Sequence, residues 1–271
     1  MKISASIVLY KTSVEELLNS TNSFLLSSLE DKKLYLIDNS PTYELKNVIK
    51  GDNVVYIHNS TNLGFGAAHN IAISKAMEWG SNYHFVINPD ILVKTDVVMP
   101  MIDFMENNLG VGMMMPQILN NDGTPQNLPK LLPSPYSVLM RKVRFPKTVY
   151  NKFINKYELR NIDGKRVYEA PILSGCFTLF RVEALRIVGC YDDQFFMYFE
   201  DWDLSRRIHR EYQTIYYPLV SVYHGYESGA NKSRRLFKLF VQSAIKYFNK
   251  WGWLWDKERK NINKKTLKQF Q

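Results

Sequence analysis

The chain has 271 residues, 45% hydrophobic and 23% charged, an ordinary globular composition that suits one large α/β domain with or without an appendage. No run reaches the roughly 18 apolar residues of a spanning helix, and the short apolar stretch after Met1 reads as a strand, not a secretory signal. The net charge of +9 is local: from Lys232 to Lys268 stand twelve Lys or Arg against Asp256 and Glu258, so the rest is close to neutral and a partner selected by charge belongs to the tail.

In chain order, residues 3–10 form a β-branched apolar strand. Residues 13–29 place Val14, Leu17, Leu18, Leu25 and Leu29 at helical spacing, with Ser13 and Glu16 suited to a capping box. Strands follow at 33–37, 54–58 and 84–88, and a helix at 66–80. This alternation predicts a mostly parallel sheet with helices on both faces, in which ligands bind past the carboxyl ends of the strands. Asp38, residues 62–66 and residues 88–90 fall at such ends. A helix at 97–107 and a strand at 113–117 come next. Residues 120–169, rich in Pro, Asn and Lys, read as a long excursion without regular pattern, a length that usually serves a function. Further elements are expected at 171–181 (strand), 183–188 and 201–211 (helices), and 214–218 and 221–223 (strands). Cys176 and Cys190 show no metal-ligand spacing and read as free thiols in a reducing compartment.

Four features carry chemistry. Asn88-Pro89-Asp90 follows an apolar strand. A carboxylate there suits a hard cation such as Mg²⁺ or Mn²⁺ shared with two phosphates, although Asn-Pro-Asp is also good turn chemistry. Glu200, Asp201 and Asp203 open a helix directly after five residues that are all apolar or aromatic. Acids favour a helix start in any case, but desolvation by an aromatic wall raises carboxylate basicity, which a general base needs. Gly64 and Gly66 before a helix permit close backbone approach and anion binding at its N-terminus, or mark a plain strand-to-helix turn. His224 follows the last strand and, alone, reads most simply as structural.

Taken in order, Ile7-Val8-Leu9-Tyr10, Ile37-Asp38-Asn39-Ser40, Asn62-Leu63-Gly64-Phe65-Gly66 with Asn70, Asn88-Pro89-Asp90, Ser174-Gly175-Cys176 with Arg181, and Phe199-Glu200-Asp201-Trp202-Asp203-Leu204 with Arg207 resemble glycosyltransferase family 2. Within it the likeness is to bacterial rhamnosyltransferase-like enzymes of surface polysaccharide synthesis, such as O-antigen or capsule, and it covers residues 3–225. The resemblance implies a GT-A, Rossmann-like α/β domain over residues 1–228 and a basic helical extension over 229–271, with 120–169 on the acceptor side. It implies an inverting, metal-dependent hexosyltransferase. Tyr10 and Asp38 would meet the nucleobase, and Asn62, Gly66, Asn70, Asn88, Arg181 and Arg207 the rest of a dTDP- or UDP-sugar. Asp90 and His224 would hold Mg²⁺ or Mn²⁺. Asp201 would be the base, with Glu200 beside it. The family's DxD motif has Asn88 in its first place here, so charge for the cation rests on Asp90.

The implied acceptor is a glycan or lipid-linked glycan. Trp251, Trp253, Trp255 and the basic residues of the tail suit an anionic membrane surface, placing the chain in the cytoplasm, peripheral on the inner face of the plasma membrane. A tail helix packed on the catalytic domain is the other reading. Nucleic acid is not expected, because no recognition module is visible. A sugar nucleotidyltransferase would need a glycine-rich loop after the first strand, where Lys11-Thr12-Ser13 has none. A non-catalytic sugar-binding or scaffold protein would not need Asp90 and Asp201 together.

Overall fold

The computed structural model describes residues 1–225 and 233–271. β1 (Ile3–Leu9) is buried along nearly its whole length, and its apolar run is almost unbroken because both faces are covered. It pairs in parallel with β2 (Lys32–Asp38) and β4 (Tyr83–Ile87), and β2 pairs in parallel with β3 (Val54–His58). β8 (Phe177–Arg181) runs antiparallel between β4 and β6 (Val111–Leu119). β6 is parallel to β9 (Gln213–His224), which also carries the short antiparallel strands β5 (Ile91–Leu92) and β7 (Tyr168–Glu169). Among the described residues the order is β3-β2-β1-β4-β8-β6-β9-β5, with β7 on β9. β1, β2, β3, β4, β6 and β9 therefore share one direction and put their carboxyl ends on one edge of the expected α/β sheet.

α1 (Val14–Leu25) starts at the expected capping box. Ser13 Oγ accepts from Glu16 N–H at 3.2 Å, and the Glu16 carboxylate accepts from Ser13 N–H at 2.8 Å, an arrangement worth about 1 kcal/mol. α2 (Phe65–Trp79) ends at Gly80, whose φ of 81° is the left-handed cap glycine tolerates. Its Ala68, Ala72 and Ala76 pack closely on Tyr35 and Ile37. α3 (Val98–Asn107) and α6 (Val182–Val188) complete the cover of this part of the sheet. Between β1, β4 and α2 lies a buried polar relay: Ser4 and Ser6 hold the two nitrogens of His84 at 2.7 and 2.8 Å, and Ser6 also holds His69 at 2.7 Å. Burial drives both histidines down, His84 to about 3, so both stay neutral at pH 7.

Residues 120–169 are more regular than their composition suggests. They hold α4 (Pro135–Val143) and α5 (Lys147–Tyr157), as well as β7. α4 begins with Ser134 capping Ser137 and Pro135 at the first helical position. The two strands expected at 214–218 and 221–223 are one strand, β9, with a register shift against β6 between Pro116 and Gln117.

The tail forms α8 (Arg234–Trp251) and α9 (Lys257–Lys268), which follow α7 (Glu200–Glu211) and pack on it. Tyr247 and Phe248 are buried with Phe195 and Phe199. Arg206, 1% exposed, makes two hydrogen bonds to Asp256 at 2.8 and 2.9 Å and two to Glu258 at 2.7 and 3.2 Å. Asn263 brackets Leu132, and Gln269 brackets Glu169. The tail helices are thus docked on the first domain. The expected boundary between residues 228 and 229, and Lys232, lie outside the described residues.

Candidate active site

The six strand ends form one sheet edge, and Asn88, Asp90 and His224 lie on it. Past β4, Asn88 is held by its N–H to the Cys176 carbonyl at 2.8 Å. Three residues on, β5 pairs Ile91 with His224, so Asp90 comes beside the end of β9. Asp90 Oδ1 lies 3.2 Å from His224 Nε2, and Asn88 Nδ2 lies 3.3 Å from the same nitrogen. The other ring nitrogen faces Gln126 Oε1 at 3.4 Å, and Gln126 is itself anchored to the His224 carbonyl at 3.0 Å. If Nδ1 carries the proton toward Gln126, the Nε2 lone pair faces Asp90. Asp90 Oδ1 and Asn88 Oδ1 are buried and lack a hydrogen-bond donor, which is costly for bare oxygens. Two orphaned oxygens beside an imidazole lone pair are a donor set that fits a hard divalent cation. Among the described residues no group of three or more His, Cys, Asp or Glu is so arranged, so such a cation would take its remaining ligands from a diphosphate or water.

Asp201 is reached through the segment before β8. Its Oδ2 accepts from Gly175 N–H at 3.3 Å and its Oδ1 from Trp202 N–H at 2.9 Å. Tyr198 and Phe199, with φ of 69° and 68°, take the left-handed conformation on consecutive residues just before α7. Such backbone costs roughly 1–2 kcal/mol per residue. It turns the chain so that Glu200 and Asp201 open α7 against the aromatic cluster. Burial raises the Asp201 carboxylate to about 6, against the pull of Gly175 N–H and Lys130. Burial and the Asp201 charge raise Glu200 well above the carboxylate range, and its Oε2 has no partner. Asp203 serves the fold instead. It is fully buried and binds Arg207 at 2.8 Å, Lys250 at 2.8 Å and the Trp251 indole at 2.8 Å, tying α8 to α7.

Asn88, Gly175, Cys176, Glu200, Asp201 and His224 line one cleft of about 660 Å³. The Cys176 thiol is pushed up to about 12, chiefly by burial and further by the charges of Asp90 and Asp201, which both reach it. Asp90 itself does not line this cleft; its neighbours Asn88 and His224 do, on the same cleft as Asp201.

Past β1, the neighbour of β4, Tyr10 lies 46% exposed. Asp38, at the end of β2, is buried, with Oδ2 accepting from the Tyr56 hydroxyl at 2.5 Å and Oδ1 from Ser40 N–H at 2.8 Å. The Lys11 N–H to Ser40 Oγ bond, 2.9 Å, joins the two loops. Asn62 Oδ1 accepts from Gly64 N–H at 2.9 Å and from Asn39 at 3.3 Å, bracing this edge.

Four expected ligand contacts are otherwise employed. Asn70 spends its amide on the loop after α6, bonding the Tyr191 backbone at 2.8 and 3.0 Å and Asp193 at 2.8 Å. Gly66 faces Tyr191, whose own Cβ an added Cβ would meet at 2.8 Å, and at Gly64 (φ 86°) a Cβ would fall 2.1 Å from the Phe196 carbonyl oxygen. The close approach these glycines permit is to the chain's own loop. Arg181 pairs with Tyr83 across the strands, at the opposite edge of the sheet, and bonds the carbonyls of Val111 and Met105. Arg207 bonds Asp203 and the carbonyls of Val188, Gly189 and Cys190. Residues not anticipated in the cleft are Lys130, Arg141 and Arg160.

The family model described as glycosyl transferase family 2 matches residues 4–189, which takes in Asp90 but stops short of Asp201 and His224. Among curated relatives, an N-acetylglucosaminyl-diphospho-decaprenol L-rhamnosyltransferase of Mycobacterium tuberculosis is 28% identical over 183 residues, covering 64% of this chain and 59% of the relative. A low-salt glycan biosynthesis hexosyltransferase of Haloferax volcanii is 24% identical over 177 residues, 65% of this chain and 53% of the relative. The chain thus spans a little over half the length of these relatives. Among solved structures, GalNAc-T7 with UDP, GalNAc and Mn²⁺ superposes with a TM-score of 0.61 at 15% identity, covering 84% of this chain and 44% of that one. S. aureus TarS residues 1–349 with UDP superposes with a TM-score of 0.58 at 13% identity, covering 98% and 71%. Both are likenesses of fold.

Proposed function

The chain belongs to glycosyl transferase family 2 and has the GT-A fold, and from that premise we propose that its cleft moves a sugar from a nucleotide-diphosphate donor to an acceptor hydroxyl with inversion at the anomeric carbon. The observation that carries this reading is the position of Asp201, a buried carboxylate raised to about 6, in the cleft that Asn88 and His224 also line.

In this reading Asp201 accepts the acceptor hydroxyl proton. The N–H groups of Gly175 and Trp202 fix its two oxygens and leave a further lone pair on each for the acceptor. Glu200, held neutral beside it, adds no second charge and keeps the pair from repelling an incoming oxygen. The acceptor oxygen forms its bond to the anomeric carbon as the bond to the diphosphate breaks on the opposite face. Asp90, His224 and Asn88 would hold Mg²⁺ or Mn²⁺, which supplies stabilisation of charge on the leaving diphosphate when bound. Tyr10 and Asp38 lie at the same sheet edge, where a uracil or thymine would be met.

The relatives support the substrate classes: one is named for rhamnosyl transfer to a diphospho-decaprenol acceptor, the other for hexosyl transfer in glycan synthesis. We assign a dTDP- or UDP-sugar donor, with rhamnose as the leading sugar, and a glycan or lipid-linked glycan acceptor of surface polysaccharide synthesis. Among the described residues no helix is long and apolar enough to cross a membrane. Exposed Phe237, Val241 and Ile245 on α8, near Arg234, Arg235 and Lys238, support peripheral docking on the anionic inner face of the plasma membrane. The test is release or transfer of sugar from a panel of UDP- and dTDP-sugars with Mn²⁺ or Mg²⁺ and with chelator. Turnover of one donor, abolished by chelator, is expected. Absence of turnover and of nucleotide binding across the panel would overturn the reading.

A further inference from the structure

The cleft carries more positive charge than the chemistry at Asp201 and Asp90 uses. Lys130, Arg141, Lys142, Arg144 and Arg160 all line it. Among the described residues its lining carboxylates are Glu158, Asp201 and Glu200, the last raised well above the ordinary carboxylate range by burial. Glu158 is buried and shared: Arg141 Nε lies 3.2 Å from one oxygen, and Arg160 grips the other with Nε at 2.9 Å and a second nitrogen. One carboxylate thus orders two guanidiniums and neutralises only one. Lys130, 5% exposed, gives hydrogen bonds to the carbonyls of Asn127 and Leu128 at 3.3 and 2.7 Å, and among the described residues it forms no salt bridge. Burial first, then repulsion from Arg141, brings its ammonium down to about 8. A cleft for a neutral glycan has no use for such mutual repulsion, whereas an anion would relieve it.

Asn88, Asp90, His224 and Gln126 mark the cation end. Arg141 lies with its guanidinium carbon 5.8 Å from the ring centre of Trp202, the neighbour of Asp201 on α7. The base must face the acceptor hydroxyl, so Arg141, beside Trp202, lies on the acceptor side of the cleft together with the Glu158 and Arg160 it is tied to. The rim there is apolar. Lys142 Nζ lies over the rings of Phe237 and Phe240 at 5.5 and 4.7 Å, joining α4 to α8, and Val138, Leu236 and Phe240 line the cleft.

We propose that this wall is an acceptor subsite for a diphosphate ester of an apolar chain: the guanidiniums of Arg141 and Arg160, with Arg144 and Lys130, hold the phosphoryl oxygens while the α4–α8 rim takes the chain. Guanidinium forks match phosphoryl oxygens in pairs. The inference rests on Asp201 as the base, and the following experiment separates the two.

Binding of farnesyl diphosphate, inorganic pyrophosphate and farnesol to the full chain is measured by calorimetry, alongside binding of UDP and dTDP with Mn²⁺. Farnesyl diphosphate should bind more tightly than pyrophosphate, with farnesol weakest. Arg144→Gln and Arg160→Gln should each weaken farnesyl diphosphate about tenfold, with nucleotide affinity changed less than twofold. Lys264→Gln on α9 should leave both unchanged. Arg144 is an exposed residue, so its variant keeps the test open should Arg160→Gln fail to fold. Farnesyl diphosphate binding unchanged in Arg144→Gln and in any folded Arg160→Gln would overturn the subsite. So would equal affinity for pyrophosphate, or an equal loss of nucleotide binding, which would put the cations on the donor. Asp201→Asn should retain farnesyl diphosphate binding. Normal transfer by that variant would remove the base while leaving the binding result to stand or fall separately.

Discussion

The Asp90 carboxylate stands 3.2 Å from His224 Nε2 because the antiparallel pairing of Ile91 with His224 draws the end of β9 over the turn after β4. Asp90 Oδ1 and Asn88 Oδ1 are buried there without donors. Mn²⁺ should therefore raise the melting temperature of the wild-type chain by linkage, since it binds the folded form. Asp90→Ala should abolish that shift, and His224→Ala should reduce it. A Mn²⁺ shift unchanged in both variants would place the cation elsewhere.

As the proposed base, the raised Asp201 carboxylate should set the pH dependence of the reaction. A base works only when ionised, so kcat/KM should fall as pH drops through about 6, approaching a tenfold loss per unit below that point. A profile flat down to pH 5 would contradict the assignment.

His69 and His84 make the fold acid-sensitive. Their folded pKa values lie below the ordinary 6.5, so as pH falls below 6.5 the unfolded chain takes up protons that the folded chain refuses. Each then withdraws about 1.4 kcal/mol of stability per pH unit, for His84 until its own value near 3 is reached. Asp201 acts in the opposite sense below about 6, so the difference between wild type and His84→Gln is the clean measure. Urea unfolding between pH 6.5 and 5 should show the variant's stability falling less steeply, by about 1.4 kcal/mol per unit.

Arg206 anchors the tail. Replacing it with Leu leaves Asp256, with 4% of its side chain exposed, buried beside the more distant Arg259. Loss of one partner of a buried pair costs about 3–5 kcal/mol. Arg206→Leu should lower stability by that order and speed proteolysis between α8 and α9. Unchanged melting and proteolysis would mean the network does not hold the tail.

The parts of the molecule legible in the sequence were those written in local pattern. The Ser13 and Glu16 cap, Gly80 beyond α2, the apolar strands, and carboxylates at a strand end and a helix start each follow from a few neighbouring residues. What was hidden depends on partners far along the chain. Asn70 and Gly66 answer to Tyr191, and Arg207 to the carbonyls after α6, so a motif position alone assigned them to a ligand. α5 did carry a signal, Tyr150, Phe153, Ile154 and Tyr157 at helical spacing, masked by the Lys and Asn between them. The basic wall was missed with it. The left-handed pair Tyr198 and Phe199 has no local signature at all.

In the proposed mechanism Asp201 takes the acceptor proton. That step is tested most directly by single-turnover transfer with Asp201→Asn, a change of one atom that keeps the side chain's shape. The variant should bind the nucleotide with near-normal affinity, and transfer should fall by at least about 10³-fold. Near-normal transfer by a folded, nucleotide-binding Asp201→Asn would contradict the account.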